Sequence, residues 1–158
     1  MALGSDGVIK KKYTYSRGTI ATINHYGGDK FIISVSGGNS IKYRMVMITD
    51  RIIDLGLDFK ILVPDEGYNT GNDSFYDKKD KRLYVTKFKD NLRENAIYVY
   101  DLCKLCNGYK YKPEKSFYVS SNEQYEIEGI GIYKSKMYAC VNAVKKGKQA
   151  DEISILEA

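Results

Sequence analysis

The residues of this chain best suited to chemistry are carboxylates and amides at corresponding positions of three similar segments. Asn24 lies in the first segment, Asn72 and Asp73 lie in the second, and Glu126 and Glu128 lie in the third. Strands that converge on one axis would bring these side chains together. Paired carboxylates could then serve a glycosidase, or their oxygens could bind calcium. The competing interpretation is that these side chains make hydrogen bonds to neighbouring backbone.

The only histidine and two tyrosines extend this candidate ligand site. Tyr68 and Tyr125 occupy predicted loop or channel positions, where an aromatic ring can stack on a sugar; most of the 15 tyrosines alternate with aliphatic residues and are expected to pack. His25 stands in a predicted hairpin, which favours a turn or rim position over a general base. The predicted ligand-binding residues are therefore Asn24, His25, Asn72, Asp73, Tyr125, Glu126 and Glu128, with no catalytic residue and no metal ligand assigned.

The three cysteines form no complete metal or redox motif. Cys103 and Cys106 make a single C-x-x-C pair, and Cys140 lies in a predicted strand. A structural zinc site takes four ligands, and a thioredoxin-like motif requires a βαβ setting, so reduced thiols or an incidental disulfide are favoured. The chain also has no nucleophile elbow, phosphate-binding glycine loop or dinucleotide fingerprint. Acyl transfer and nucleotide chemistry are poorly supported, and calcium at the carboxylates is the one cofactor considered.

A threefold repeat with a period of roughly fifty residues positions these candidates. Its first strands are FIISV from Phe31, LYVTK from Leu83 and MYACV from Met137, and its second strands are VMITD from Val46, IYVYD from Ile97 and ISILE from Ile153. A strand ending in tyrosine precedes each pair, at residues 20–26, 73–76 and 127–133. A further strand candidate lies at 12–15, 59–63 and 116–119. β-Branched and aromatic residues dominate these runs, and no helical periodicity appears.

Four strands in each repeat predict an all-β, β-propeller-like fold with three four-stranded antiparallel blades. We expect a flexible segment at 1–8 and a single domain at 9–158, with repeats at about 18–69, 70–121 and 122–158. The last repeat stops after its third strand, so the strand at 12–15 is expected to complete the last blade beside residues 153–156. Propellers carry four to eight blades. Three blades therefore predict half of a six-bladed ring in a homodimer, or a piece of a longer chain.

The distribution of charged and apolar residues limits which classes of partner are expected. The net charge is +5, but the basic clusters at 10–12, 78–82 and 145–148 fall in different repeats and are interleaved with acids. A nucleic-acid surface is therefore not expected. No run of eighteen apolar residues is present, so no membrane span is expected either. Open blade edges predict self-association.

Three stretches of the sequence resemble a known repeat. TGNDSFYDKKDKRLYV, AIYVYDL and EIEGIGIYKSKMYA are similar to bacterial β-propeller repeats of the type N-D-x-x-[YF]…K-L-Y-V, including secreted and helveticin-like bacteriocin propellers. The resemblance spans about residues 18–156, and the first repeat departs from it, with ATINHY in place of the N-D pair. It implies a propeller that binds a ligand, often at a cell surface or outside the cell, and it assigns no catalytic residue.

These observations favour a non-enzymatic binding module of a bacterial or phage surface or secreted protein, with a glycan or protein held at the axial face of the propeller. One alternative is a carbohydrate-active enzyme that uses Asp73, Glu126 and Glu128. Another is a structural or assembly domain. An axial cluster of acids within about 5–10 Å would favour the enzyme. An aromatic-rimmed basin would favour binding, and an extensive contact between flanks would favour assembly.

Overall fold

Every helix or strand element among the described residues is a β-strand, as the composition predicts. The computed structural model describes residues 2–3, 9–35, 41–68, 71 and 73–156. Its sheets are curled, and the prediction of an all-β fold is confirmed. The first two strands, β1 (Ala2–Leu3) and β2 (Ile9–Lys11), pair with each other in a separate two-stranded sheet. Part of the segment predicted to be flexible, residues 1–8, is therefore paired, and the rest of that segment lies outside the described residues.

The first two large sheets are antiparallel meanders that follow one another along the chain. The first contains β3 (Ile20–Gly27), β4 (Lys30–Val35), β5 (Ile41–Ile48) and β6 (Ile52–Ile61). The second contains β7 (Ser74–Asp77), β8 (Arg82–Phe88), β9 (Glu94–Asp101) and β11 (Lys115–Ser120). Between β9 and β11, the short strand β10 (Lys110–Tyr111) returns to the first sheet and pairs in parallel with β6.

The third sheet has fewer strand positions than the other two. It contains β12 (Tyr125–Tyr133), β13 (Lys136–Lys145), β14 (Lys148–Gln149) and β15 (Glu152–Leu156). Both β14 and β15 pair with β13, at different heights along that strand, and β12 pairs with its other edge. The sheet is therefore three strands wide, and β15 forms its outer edge.

The strand predictions hold in the three repeats and fail at the N-terminus. FIISV, LYVTK and MYACV lie in β4, β8 and β13, and the candidates at 59–63 and 116–119 overlap β6 and β11. Residues 12–15 form no strand, so the prediction that they complete the last blade is wrong. The Tyr13 hydroxyl instead donates to the Thr49 carbonyl at 2.7 Å, and Arg44 donates to the Tyr15 hydroxyl at 2.7 Å. These polar partners hold the segment against the first sheet.

The second sheet packs on both of its faces. Six consecutive residues of β9, from Asn95 to Tyr100, are buried, as expected for a strand covered on both sides. One core cluster lies between the first and second sheets, with Tyr43, Phe59, Leu83 and Tyr98 among its buried members. A smaller cluster joins Ile97 to the third sheet. The first strands of the three large sheets are also neighbours, since β3 lies against β7 and β7 lies against β12.

Candidate functional site

The predicted carboxylates do not form a metal centre in the described part of the chain. No group of three or more His, Cys, Asp or Glu side chains there is arranged to hold a metal ion. Asp73 is half-buried and accepts a hydrogen bond from the backbone N–H of Ile130 at 3.3 Å. Glu126 accepts one from Asn142 at 3.3 Å. Asn72 lies outside the described residues.

The two half-buried carboxyls have altered acidity. Burial raises the pKa of Asp73, although the N–H groups of Ser74 and Ile130 partly oppose this effect. Burial also raises the pKa of Glu126, and the negative charge of Glu128 acts in the same direction. Glu128 is exposed and lies where the pairing of β12 with β13 shifts register. Each of the two half-buried carboxyls accepts a hydrogen bond from the protein itself.

Asn24 joins two sheets and is 6% exposed, and with His25 it lines a second, smaller pocket of about 530 Å³. Its Nδ2 donates to the Ser74 hydroxyl at 2.8 Å, and its Oδ1 accepts from the backbone N–H of Tyr76 at 2.9 Å. The Thr22 hydroxyl lies 2.8 Å from Ser34 Oγ and 2.8 Å from Ser74 Oγ. These side chains and Asn24 therefore form one buried hydrogen-bond network. This network provides hydrogen-bond partners for the polar groups buried between the first and second sheets.

His25 occupies the exposed end of the first hairpin. Its Nε2 lies 2.8 Å from the Gly28 carbonyl oxygen, and its Nδ1 lies 3.1 Å from Lys78 Nζ. Its ring packs against Phe31, with 5.2 Å between ring centroids. Both ring nitrogens therefore have partners at the rim of the first sheet.

Both tyrosines of the predicted stacking surface contact other side chains of the protein. Tyr68 is buried, and Lys89 Nζ lies 5.0 Å from its ring centroid. The Tyr125 hydroxyl donates to Ser154 Oγ at 2.8 Å, within the third sheet. Asn24, Asp73, Tyr125 and Glu126 thus each make side-chain hydrogen bonds within the fold.

A groove of about 1400 Å³ lies between the second and third sheets. Apolar and aromatic side chains from both sheets form its inner surface: Tyr84, Ile97, Val99, Phe117 and Val119 on one wall, and Ile132, Met137, Ile155 and Leu156 on the other. Sequence reasoning missed this groove because its walls come from separate repeats. The sequence feature that could have indicated the groove is the third repeat, which stops after its third strand.

Five basic residues and three carboxylates line the groove, the carboxylates being Asp77, Asp80 and Glu114. Arg82 is neutralised, because its Nε lies 2.5 Å from Glu114 Oε1 and its Nη1 lies 3.2 Å from Asp101 Oδ1. Lys115, Lys134 and Lys136 also line the groove, and no carboxylate among the described residues pairs with them. An anionic ligand would therefore find unpaired cations on both walls.

Comparisons of this chain with family models, curated proteins and solved structures found no match. The resemblance to bacterial propeller repeats therefore stays a prediction. In the described part of the chain no helix is long and apolar enough to cross a membrane.

The three cysteines are free and exposed. Cys103 Sγ lies 3.7 Å from Arg82 Nη1, and its backbone N–H donates to Asp101 at 2.7 Å. The Cys106 N–H donates to the Tyr111 hydroxyl at 3.0 Å. The C-x-x-C pair thus lies in a loop ordered by polar contacts and opens no helix.

Proposed function

We propose that this chain is a non-enzymatic binding module that holds a protein ligand in the groove between its second and third sheets. The observation that carries the proposal is the combination of an apolar, aromatic inner surface with unpaired lysines at the rim. Ligand sites typically have this composition, with apolar walls supplying contact area and a few polar groups fixing orientation. The module would belong to a surface or secreted protein, as the resemblance implies.

The proposal includes a propeller-like arrangement of three blades. It is supported by the contact of β3 with β7 and of β7 with β12, because the innermost strands of propeller blades lie side by side. A six-bladed ring would then require a second copy of the chain. Light scattering tests this part: a dimer mass supports the ring, and a monomer mass contradicts it.

A protein ligand is favoured over a glycan and over carbohydrate chemistry. Tyr68 and Tyr125, the two residues expected to stack on a sugar, are engaged within the fold. Asp73 and Glu126 each accept a hydrogen bond from the protein itself. The groove instead offers a long apolar surface that suits the side chains of a polypeptide.

Selection from a phage-displayed library of random twelve-residue peptides tests the proposal. Enriched peptides should bind the unmodified protein and lose at least tenfold in affinity for the double variant Lys134→Glu/Lys136→Glu. The matched control is Lys12→Glu/Lys30→Glu, which makes the same charge change at exposed positions away from the groove. Peptides that bind both variants equally, or ligands found only on a glycan array, would contradict a protein ligand in this groove.

A further inference from the structure

The third sheet has an open edge where each of the other two sheets has a fourth strand. In the first sheet β6 pairs with β5, and in the second β11 pairs with β9 over six residues. In the third sheet β15 pairs with β13 on one side, and no described strand pairs with its other side. Its unpaired backbone groups form a template for one more strand.

The groove runs along this open edge. Ile155 and Leu156 of β15 line one side of it, and Phe117 and Val119 of β11, the outer strand of the preceding sheet, line the other. A strand added beside β15 would therefore place alternate side chains against this apolar wall. Ile153 and Ile155, whose side chains are 77% and 51% exposed, show that the edge strand is not covered by the described chain.

The dimensions of the edge suit a short extended segment. The five residues of β15 span about 17 Å at the usual rise of a strand. Alternate residues of such an edge direct both their N–H and C=O groups outward, which provides about four hydrogen bonds to an incoming strand. Main-chain bonds of this kind supply affinity in strand addition, and side-chain pockets supply specificity.

Charge identifies the chemistry of the incoming strand. Lys115 stands on the β11 wall, and Lys134 and Lys136 stand on the third sheet. Asp77 and Asp80 also line the groove, but basic residues outnumber carboxylates there. The chain's own N-terminal strand candidate, residues 12–15, begins with Lys12 directly after Lys10 and Lys11 and would be repelled there. The same repulsion acts against the corresponding segment of a second copy.

We propose that the groove accepts an extended acidic segment of another protein, which pairs with β15 as the fourth strand of the third sheet. Its apolar side chains pack on Phe117 and Val119, and its carboxylates meet Lys115, Lys134 and Lys136. This inference rests on the proposed function and names the ligand class of the same site.

The probe is the peptide acetyl-(Glu-Val)₄-amide, with binding measured by calorimetry and by hydrogen exchange of the intact protein. We expect binding that slows exchange of the amides in β15. Methylating every second peptide nitrogen should weaken binding at least tenfold, because it removes the donors that pair with the edge. The peptide acetyl-(Lys-Val)₄-amide should bind at least tenfold more weakly. The variant Lys134→Glu/Lys136→Glu should reverse this preference, whereas Lys12→Glu/Lys30→Glu should not.

Three results would overturn the inference. Equal binding of the methylated peptide would exclude strand pairing, and equal binding of the lysine peptide would exclude the charge argument. Protection of β15 that rises with protein concentration in the absence of peptide would identify a second copy as the occupant. If library peptides bind the groove while the acidic peptide does not, this inference fails and the proposed function stands. If neither class of peptide contacts the groove, both fail.

Discussion

The side-chain oxygen of Asn95 accepts a hydrogen bond from the backbone N–H of Ile127 at 2.9 Å, which ties the second sheet to the innermost strand of the third. The Nδ2 of the same asparagine donates to the Tyr125 carbonyl. Asn24 has the same role one sheet earlier, where its Oδ1 accepts from the N–H of Tyr76 at 2.9 Å. Both asparagines are buried. Buried amides thus fix where each innermost strand meets the preceding sheet.

Replacing Asn95 with alanine should lower the free energy of unfolding by about 2 kcal/mol, because the N–H of Ile127 and the carbonyl of Tyr125 lose their partner in a buried place. For a chain of this length that corresponds to a fall in melting temperature of about 4–8 °C. The control is Asn122→Ala at an exposed position, which should change stability by less than about 0.5 kcal/mol. Equal melting of the two variants would contradict the bridging role.

Replacing Gly71 with alanine should destabilise the protein more than the same change at Gly28. Both glycines have positive φ, at 72° and 55°, so each substitution incurs a similar backbone cost. A Cβ at Gly71 would lie 2.6 Å from Phe88, which is buried, whereas a Cβ at Gly28 meets nothing within 4 Å. The difference should be about 1–3 kcal/mol in chemical denaturation. Equal losses of stability at Gly71 and Gly28 would show that Phe88 shifts to accommodate the new Cβ without a measurable cost.

Replacing Tyr43 with phenylalanine should leave stability unchanged or raise it by about 1 kcal/mol. The Tyr43 hydroxyl is buried with no well-formed hydrogen bond among the described residues, because the nearby Ser74 hydroxyl is already bonded to Thr22 and Asn24. Tyr100→Phe is the matched control, because the Tyr100 hydroxyl donates to the Leu62 carbonyl at 2.7 Å. That variant should lose about 1 kcal/mol. A clear loss of stability for Tyr43→Phe together with no loss for Tyr100→Phe would contradict these assignments.

The substitution Asp73→Asn should stabilise the protein increasingly as pH rises. Burial raises the pKa of Asp73 above its ordinary value of 3.8, so the folded state holds the proton more tightly. Its contribution to stability is therefore present below pH 3.8 and is lost as pH rises through the raised folded pKa. Asparagine is not subject to that loss. Melting temperatures from pH 3 to pH 7 measure the growing difference from the unmodified protein.

The substitution Asp58→Asn provides the control of opposite sign. Arg44 donates two hydrogen bonds to the Asp58 carboxylate, at 2.5 and 2.6 Å, and these hold its pKa below 3.8. Its contribution is present above pH 3.8 and is lost as pH falls through the lowered folded pKa. Asp58→Asn should therefore destabilise the protein at neutral pH, and the deficit should shrink in acid. Parallel pH profiles for the two variants would contradict these assignments.

Much of the strand order is predictable because β-branched and tyrosine-rich runs alternate with glycine and lysine turns. FIISV, LYVTK and MYACV become central strands for this reason. Residues 12–15 have the same composition but form no strand, since their tyrosines find polar partners in Thr49 and Arg44. Propensity alone does not reveal which hydrogen bonds a tyrosine will make.

The site was less predictable than the strands because it depends on contacts between repeats. Sequence alternation places Glu126 and Glu128 on one face, but β12 shifts register between Ile127 and Gly129. Asn24 has a type and position that suit a ligand site, yet its partners Ser74 and Tyr76 lie about fifty residues further along the chain. The groove likewise combines walls that no local pattern connects.

Hydrogen exchange of the intact protein, with and without a peptide selected from the library, tests the central claim most directly. If the groove between the second and third sheets is the binding site, the peptide should slow exchange in Lys115–Ser120 and Glu152–Leu156 and leave Ile20–Gly27 unchanged. Slower exchange in the innermost strands, with no change along β11 and β15, would contradict the account. That result would place the ligand at the axial face.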